Sequence, residues 1–518
     1  MRFRPPPAFI LKGISRMFRR PARLWAISRL LPAIVLLTQL AAIATAANPK
    51  QKPNVKKEEV WQVVYMSGQR VGYSRTAVEP VEKDGKSLVR TSYVSQLSYK
   101  RLGQPLVMKQ ILNTEETVDG NLLRFYFEIA NPPASSTFTT GVVDGDQLLL
   151  KQTVDGKVKE SKQAWRTDVK SPTFQERSLQ ESPLKAGETR SFEAFMPEFN
   201  SVTTIKLEAF DLVETSFFDG KSQRLLKVKM TQSAVPGLVV TGFADRRGEL
   251  LKVSTSLLGN EMIAYQVSQE EALKTIPGAE LDLAVSTLVK VKPIPNAHST
   301  RTMRYRVTTR GQKVQEVLMP SETQTIKKIG DEVAEVTVTA MPIPDTATIR
   351  PVAAEFLGSS QYLQSDDAKV KELAATAAGD ATNPAQIARR MERYLYEKLG
   401  KKNLSTAMAS AAEVARTMDG DCTEHAILLA AMLRAKGIPS RVVVGFVYVD
   451  KLSAFGGHMW TEANLDGHWV PLDATLGRGG IGVGHLRMLA SSLSDDGVSA
   501  ISCFAPLVVA QLQIEVLD

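Results

Sequence analysis

Alternating apolar and polar positions dominate the first half of the chain. Leu123, Phe125, Phe127 and Ile129 alternate with polar or amphipathic residues, the period of two expected of a strand that buries one face. Asp-Gly pairs, which tolerate the positive φ angles of hairpin turns, separate such runs at 84–85, 119–120, 144–145, 155–156 and 219–220. Residues from about 60 to 266 are therefore predicted to form a large antiparallel sheet, curled or doubled so that one face is buried.

In the second half of the chain the hydrophobic pattern changes from the period of a strand to a mixture of strand and helix periods. A connector is predicted from residue 267 to about 300, and a short β segment follows it, with strands at 303–307, 314–319 and 335–339. Ser365-Asp366-Asp367 then has the composition of a helix N-terminus. Further helices are predicted from Asn383 to Gly400, over 411–417 and from Cys422 to Gly437, and further strands over 441–448, 458–465 and 468–472.

The N-terminal tail has the pattern of an export signal. Residues 1–47 contain eight Arg or Lys and no acidic residue, and an apolar stretch from Leu30 to Ile43 precedes the small-residue sequence Ala44-Thr45-Ala46. This arrangement predicts a signal peptide over residues 1–46 and a mature protein in the periplasm or outside the cell. An uncleaved membrane anchor is the main alternative, since residues 30–47 are just long enough to span a bilayer, and a transit peptide is the third.

Charge and cysteine content exclude two broad classes of protein. The eight basic residues of the tail account for all but one of the formal net charge of +9, so the body of the chain lacks the positive charge that nucleic-acid binding needs. Cys422 and Cys503 are the only cysteines, too few for a disulfide-stapled scaffold. One disulfide between them is the alternative to a catalytic role for Cys422.

Three residues of the second half have the order and setting of a catalytic set. Cys422 begins an apolar helix, where backbone N–H groups and the helix dipole favour the reactive thiolate. His458 lies on a predicted strand and could act as base and then as acid toward a leaving amine. Asp473 follows the next strand and could orient the imidazole. The backbone N–H of Cys422 is a candidate oxyanion-hole donor.

Each of the three also has a structural interpretation when taken alone. Cys422 could be a small buried hydrophobe, His458 a hydrogen-bonded core imidazole, and Asp473 a turn residue. Their joint occurrence in this order, each on a suitable element, favours catalysis.

These segments resemble the core of the transglutaminase-like superfamily. The similar parts are Gly420-Asp421-Cys422, Leu433 to Arg441, Gly445, His458 to Glu462 and Trp469 to Thr475, which lie between about Ser365 and Ala490. The resemblance implies a papain-like core, in which the Cys-bearing helix packs on an antiparallel sheet, with Cys422, His458 and Asp473 as the triad. The superfamily includes protein cross-linkers, peptidases, amidases and inactive members, so the fold does not determine the reaction.

The predicted fold class is therefore α+β, a large antiparallel β domain followed by this papain-like core. The predicted parts are a signal peptide (1–46), a β-rich domain (47–270), a connector with a small β segment (271–360) and a transglutaminase-like catalytic domain (361–518).

Other residues near the motifs are expected to be structural. Asp421 and Glu424 are expected to cap the helix, His425 to stabilise it, and Trp460 to pack in the core. Further expectations are a buried partner for Glu462, a bracing role at the helix–strand turn for Arg434 and Arg441, and a core position for Cys503 in a C-terminal strand over 501–516.

No metal or cofactor is expected. His468 is assigned to a surface turn, and His298 and His485 to loops without metal-ligand neighbours, with no spacing such as His-x3-His. The glycine-rich segment from Gly477 to Gly484 lacks the Lys-Ser/Thr ending of a phosphate loop and is interpreted as a flexible loop beside Asp473.

The sequence thus predicts an exported cysteine enzyme that acts on peptide or carboxamide substrates through a thioester. Hydrolysis is favoured because water is the default acceptor, and cross-linking by an amine is the first alternative. The second is a non-catalytic envelope-binding scaffold, with the β-rich half holding an unidentified ligand. The expected partner is a protein or peptide substrate, and membrane contact is expected only through an uncleaved N-terminal segment.

Overall fold

The computed structural model describes residues 57–101, 104–130, 136–235, 237–257, 260–275, 281–282, 287–400, 409–495 and 512–517. The predicted signal peptide and Cys503 lie outside these residues. No helix within the described ranges is long and apolar enough to cross a membrane.

The N-terminal half is a 14-stranded antiparallel sheet, as the alternating pattern predicts. Its strands are β1 (Glu58–Met66), β2 (Gln69–Lys83), β3 (Lys86–Arg101), β4 (Gln104–Thr117), β5 (Leu122–Ala130), β6 (Thr137–Asp144), β7 (Gln147–Val154), β8 (Lys157–Ala164), β9 (Thr189–Met196), β10 (Ser201–Ser216), β11 (Ser222–Gln232), β12 (Val239–Ala244), β13 (Leu250–Leu257) and β14 (Asn260–Val267). The strand order is β8-β7-β6-β5-β4-β3-β2-β1-β14-β13-β12-β11-β10-β9. Helix α1 (Phe174–Glu181) connects β8 to β9, and α2 (Gln269–Leu273) follows β14.

Turn chemistry and alternation explain this sheet. Asp84 and Asp155 have φ angles of 52° and 49°, and the glycine that follows each of them also has a positive φ angle, as a tight hairpin turn requires. On β5, Phe125 and Phe127 are buried while Arg124 is exposed. Most neighbouring strands in the sheet are also neighbours in sequence, so local hairpins build most of it.

A four-stranded sheet follows, in the order β17-β18-β16-β25. Its strands are β16 (Thr302–Thr309), β17 (Gln324–Lys328), β18 (Val333–Thr339) and β25 (Leu512–Leu517), preceded by β15 (Val289–Lys290) and accompanied by α3 (Val314–Val317) and β19 (Met341–Pro342). The predicted strand over 314–319 is wrong, because Val314 and Val317 are both buried and an i,i+3 pair shares one face of a helix. Strand β25 overlaps the predicted C-terminal strand and adds to this sheet, so the small β segment is completed by the end of the chain.

The remaining elements form a helical layer on a second sheet. The helices are α4 (Ala368–Ala378), α5 (Pro384–Lys398), α6 (Ala411–Thr417) and α7 (Cys422–Ala435), and the strands are β20 (Ser440–Val449), β21 (Ala454–Leu465), β22 (His468–Leu472), β23 (Gly480–Ile481) and β24 (His485–Ser491). Short 3-10 turns occupy Ala354–Phe356 and Asp450–Leu452. The sheet order is β15-β21-β20-β24, with β22 paired to β21. Helix α7 packs against β20 and β21, which confirms the predicted α+β class.

Ion pairs join the large sheet to the helical layer. Lys157 lies 3.4 Å from Asp367, the N-cap of α4, and Asp155 pairs with Arg416 of α6. A cavity of about 270 Å³ lies at this junction, lined in part by Leu150 and Tyr362. Buried apolar side chains continue from the sheet into the helical layer as one cluster.

Candidate active site

Two carboxylates fix the start of the helix that carries Cys422. Asp421 Oδ1 accepts the backbone N–H of Thr423 at 3.0 Å, and Glu424 Oε2 accepts the backbone N–H of Asp421 at 3.0 Å. This capping box confirms the predicted roles of Asp421 and Glu424. Gly420 precedes it because any Cβ there would lie 2.3 Å from Glu424 Cβ. Cys422 is therefore the first residue of α7, within the turn whose N–H groups have no partner inside the helix.

Cys422 is buried, with 1% of its surface exposed, and takes part in no disulfide among the described residues. The strand that carries His458 is bound to the same helix, since Thr461 Oγ1 donates to the carbonyl of Ala426 at 2.9 Å. A fixed helix and a fixed strand thus hold the thiol and the imidazole in one buried layer.

His458 and Asp473 are hydrogen-bonded to each other. His458 lies on β21 opposite Gly445, and Asp473 directly follows β22, the neighbouring strand. The Nε2–H of His458 donates to Asp473 Oδ2 at 2.8 Å, and both side chains are buried. Because Nε2 is bound to Asp473, Nδ1 is the ring nitrogen left to exchange a proton with Cys422.

Charge coupling in this buried group shifts two pKa values in opposite directions. Burial alone would lower the pKa of His458, but the charges of Asp473 and Cys422 and the hydrogen bond to Asp473 outweigh it and raise that pKa to about 10. Burial alone would raise the pKa of Asp473, but the charge of His458 and the hydrogen bonds it accepts hold the pKa well below its usual range. The arrangement favours an imidazolium between two negative groups, a carboxylate and a thiolate.

His485 is a member of this cluster that the sequence did not indicate. It begins β24 and is buried, and its Nε2 lies 3.0 Å from Asp473 Oδ2. The predicted loop position is wrong, because residues 485–491 pair with β20 as a strand that is interrupted by one register shift at Met488. The available signal for that strand was the mostly apolar segment from Leu486 to Ala490, in which Arg487 is the one charged residue.

Glu392 on α5 is a second residue that was missed. It is buried, and its two oxygens accept the backbone N–H groups of Asp473 at 3.0 Å and Gly479 at 2.8 Å. Burial raises its pKa to about 8, although these backbone donors favour the charged form. Glu392 therefore ties the backbone of Asp473 and the glycine-rich segment to α5. That segment lies beside Asp473 as predicted, but the expectation of a flexible loop is wrong, because Gly480–Ile481 forms strand β23, which pairs with β19.

The aromatic and cationic residues around the site act as expected. Trp460 is buried and stacks on His458 with ring centroids 6.2 Å apart. His425 donates from Nδ1 to the carbonyl of Asp421 at 2.6 Å, a bond internal to the helix start. Arg434 donates to the carbonyl of Ser440 at 2.9 Å and braces the helix–strand turn.

Three more expectations concern residues at the edge of the site. Arg441 pairs with the buried Glu462 at 2.6 Å across strands β20 and β21, so this contact joins the two strands and does not brace the helix–strand turn as expected of Arg441. His468 is exposed, in agreement with its assignment to the surface. His298, in the connector, donates from Nε2 to the carbonyl of Tyr448 at 2.9 Å.

His458, Asp473 and His485 place three possible metal-binding atoms within 4.8 Å of one another. The expectation that His485 lacks such neighbours is therefore wrong. The Nε2 atoms of His458 and His485 both lie within hydrogen-bond distance of Asp473 Oδ2, at 2.8 and 3.0 Å. The contacts are better explained as hydrogen bonds to one carboxylate.

Comparisons with known proteins locate a family resemblance in this half of the chain. Residues 371–474 match the family model of the transglutaminase-like superfamily core, which confirms the resemblance predicted from the motifs. A search of curated proteins gives no match.

Three solved structures illustrate the structural likeness. A proposed cysteine protease from Cytophaga hutchinsonii is 19% identical, covering 42% of this chain and 86% of its own, with a TM-score of 0.30. A beta-barrel-like protein of a domain of unknown function from Brucella abortus is 10% identical, covering 40% and 96%, with a TM-score of 0.29. A proposed protease from Parabacteroides distasonis ATCC 8503 is 12% identical, covering 68% and 64%, with a TM-score of 0.19.

Proposed function

We propose that the transglutaminase-like domain matched at residues 371–474 is a cysteine enzyme that transfers acyl groups from peptide or carboxamide substrates, mainly to water. The observation that carries this proposal is the buried Asp473–His458 hydrogen bond, electrostatically coupled to a cysteine at the start of a capped helix. The family match supports a cysteine enzyme, and the choice of substrate and acceptor is our inference.

The first half of the reaction forms a thioester. The Cys422 thiolate attacks the carbonyl carbon, an S–C bond forms, and the carbonyl electron pair moves onto oxygen. The backbone N–H of Cys422, at the start of the helix, is our candidate donor to that oxyanion. When the intermediate collapses, the C–N bond breaks and the amine or ammonia leaves with a proton from the His458 imidazolium.

The second half regenerates the enzyme. Neutral His458 removes a proton from water, the resulting hydroxide adds to the thioester carbon, and the S–C bond breaks to release a carboxylic acid and the Cys422 thiolate. Asp473 stabilises the imidazolium that forms in this step and keeps the ring oriented. A primary amine could replace water, in which case the product is a new amide.

Partitioning of the acyl-enzyme tests this proposal. We expect a glutamine-containing peptide to release ammonia and leave a thioester on Cys422, which intact mass measurement after rapid quenching detects in one turnover. When a primary amine is added, the hydrolysed peptide is expected to exceed the amine adduct, because water is far more concentrated. Product found only as the adduct would establish a cross-linking enzyme. Failure of a broad panel of amides to acylate the protein would favour a non-catalytic binding scaffold.

We also propose that the protein acts outside the cytoplasm, after removal of residues 1–46. The basic tail, the apolar stretch and Ala44-Thr45-Ala46 support export. N-terminal sequencing of the protein isolated from its native cells is expected to begin at Ala47. An intact tail recovered in the membrane fraction would instead indicate an anchor.

A further inference from the structure

Asp473 binds two imidazoles through a single oxygen atom. Its Oδ2 lies 2.8 Å from Nε2 of His458 and 3.0 Å from Nε2 of His485. The side chains of all three residues are at most 1% exposed. A triad needs only the first of these contacts, so the second calls for a separate explanation.

The register of the sheet places His485 here. His485 pairs with Val447 on β20, and β20 pairs in turn with β21, which carries His458. Trp460 contacts the His485 ring edge to face at 5.2 Å, and the His458 and His485 rings are 6.0 Å apart. Packing on the strand therefore fixes the ring of His485 beside the carboxylate.

The other oxygen of Asp473 is also occupied. Oδ1 accepts the backbone N–H of Thr475 at 2.9 Å and its hydroxyl at 2.5 Å. A carboxylate has about four lone-pair positions, and the two imidazoles and Thr475 supply four donors. Asp473 can thus keep its charge and its orientation without water, provided that every donor is present.

We infer that His485 is a positioning residue, whose Nε2–H holds Asp473 in the orientation and charge state from which Asp473 directs His458 toward Cys422. It acts through Asp473, to which it is hydrogen-bonded. This inference rests on the proposed function for its role in turnover, while the hydrogen bond itself can be measured without any substrate.

The charged and titratable groups that face His485 are consistent with a neutral donor. They are Asp473 after β22, His458 on β21 and His298 in the connector, with Asp450 4.0 Å beyond His298. Burial lowers the pKa of His485, although the hydrogen bond to Asp473 and the charge of Asp473 act to raise it. Burial also lowers the pKa of His298, to about 4. A neutral His485 offers Asp473 a dipole without adding a second positive charge beside the His458 imidazolium.

Two substitutions separate the hydrogen bond from the packing. His485→Gln retains a side-chain N–H donor, whereas His485→Met has a similar volume and no donor. His298→Gln is the matched control, since the His298 ring adjoins His485 at 5.8 Å but its Nε2 binds the carbonyl of Tyr448. Each full-length variant is compared with the wild type for kcat, KM, the rate of Cys422 alkylation by iodoacetamide as a function of pH, and thermal unfolding.

We expect His485→Met to lower kcat and the alkylation rate by about tenfold to a hundredfold, with KM nearly unchanged. His485→Gln should retain most of the wild-type kcat and alkylation rate, and His298→Gln should match the wild type in both. Low-field proton NMR should show a hydrogen-bonded imidazole N–H resonance that His485→Met removes and His298→Gln retains.

Several results would overturn the inference. One is a His485→Met variant with wild-type kcat and alkylation, and another is an equal loss in the Met and Gln variants that follows their thermal stability. Loss of wild-type activity on chelation would assign the three residues to a metal site instead. If wild-type Cys422 reacted no faster than an ordinary thiol while the NMR resonance behaved as expected, the proposed function would fail and the hydrogen bond would stand.

Discussion

Replacing Cys422 with alanine is expected to abolish turnover while leaving the fold almost unchanged. The thiolate forms the covalent bond in the proposed mechanism, and the motifs around His458 and Asp473 contain no second cysteine. Loss of a nucleophile that acts as a unit with its base lowers kcat by about 10⁴-fold or more. Because the side chain is small, its removal from the core should cost about 1 kcal/mol of unfolding free energy or less.

Single-turnover acylation and thermal unfolding measure these two effects separately. Cys503→Ala is the matched control, since it removes the chain's other cysteine, and it is expected to retain activity. Full activity in Cys422→Ala would exclude the enzyme mechanism. A parallel loss in both variants would indicate a disulfide between the two cysteines.

Local sequence signals were sufficient for the parts of the site that depend on one element. Asn383 and Pro384 begin α5 as N-cap and first residue, and Asp421 caps α7, because capping depends on side chains within a few residues. The predicted and observed bounds agree for α6 and for β22. The pairing of β21 with β22 then accounts for the contact between His458 and Asp473.

Contacts that depend on distant elements could not be predicted in this way. Glu392 lies 81 residues before Asp473, and nothing in the helical period shows which backbone N–H groups a buried carboxylate will accept. His485 follows a glycine-rich segment that favours a loop assignment, and only the pairing of β24 with β20 brings it to Asp473. At residues 314–319, the alternation of apolar and polar residues is too short to distinguish a strand from one helical turn.

The two missed residues explain why Asp473 is so strongly held. Glu392 fixes its backbone, and His485 and Thr475 complete the hydrogen bonds of its carboxylate. An orienting residue fixed from both sides can place the His458 ring without reorganisation during the reaction. The residues proposed to carry out the reaction can therefore be identified from the sequence, whereas Glu392 and His485, which hold Asp473, are identified only from the fold.

Replacing His458 with alanine is expected to be nearly as severe as loss of Cys422. In the proposed mechanism His458 both maintains the thiolate and protonates the leaving amine, so kcat should fall to within about tenfold of the Cys422→Ala value. Asp473→Asn should cost less, because Asp473 orients the ring and takes no part in covalent chemistry. Single-turnover thioester formation on a glutamine-containing peptide measures all three variants on one scale.

The pH dependence of kcat/KM distinguishes the role of Asp473 from that of His458 more sharply. The charge of Asp473 helps to raise the pKa of His458 to about 10, so the imidazolium that protonates the amine persists into the alkaline range. Removing that charge in Asp473→Asn lowers the pKa of His458, and the alkaline limb of kcat/KM should move to lower pH. His425→Ala is the control, since His425 Nδ1 donates to the carbonyl of Asp421 at the helix start, and it should reduce stability by about 1–3 kcal/mol without moving that limb. An alkaline limb that stays in place in Asp473→Asn would contradict the orienting and charge-stabilising role of Asp473.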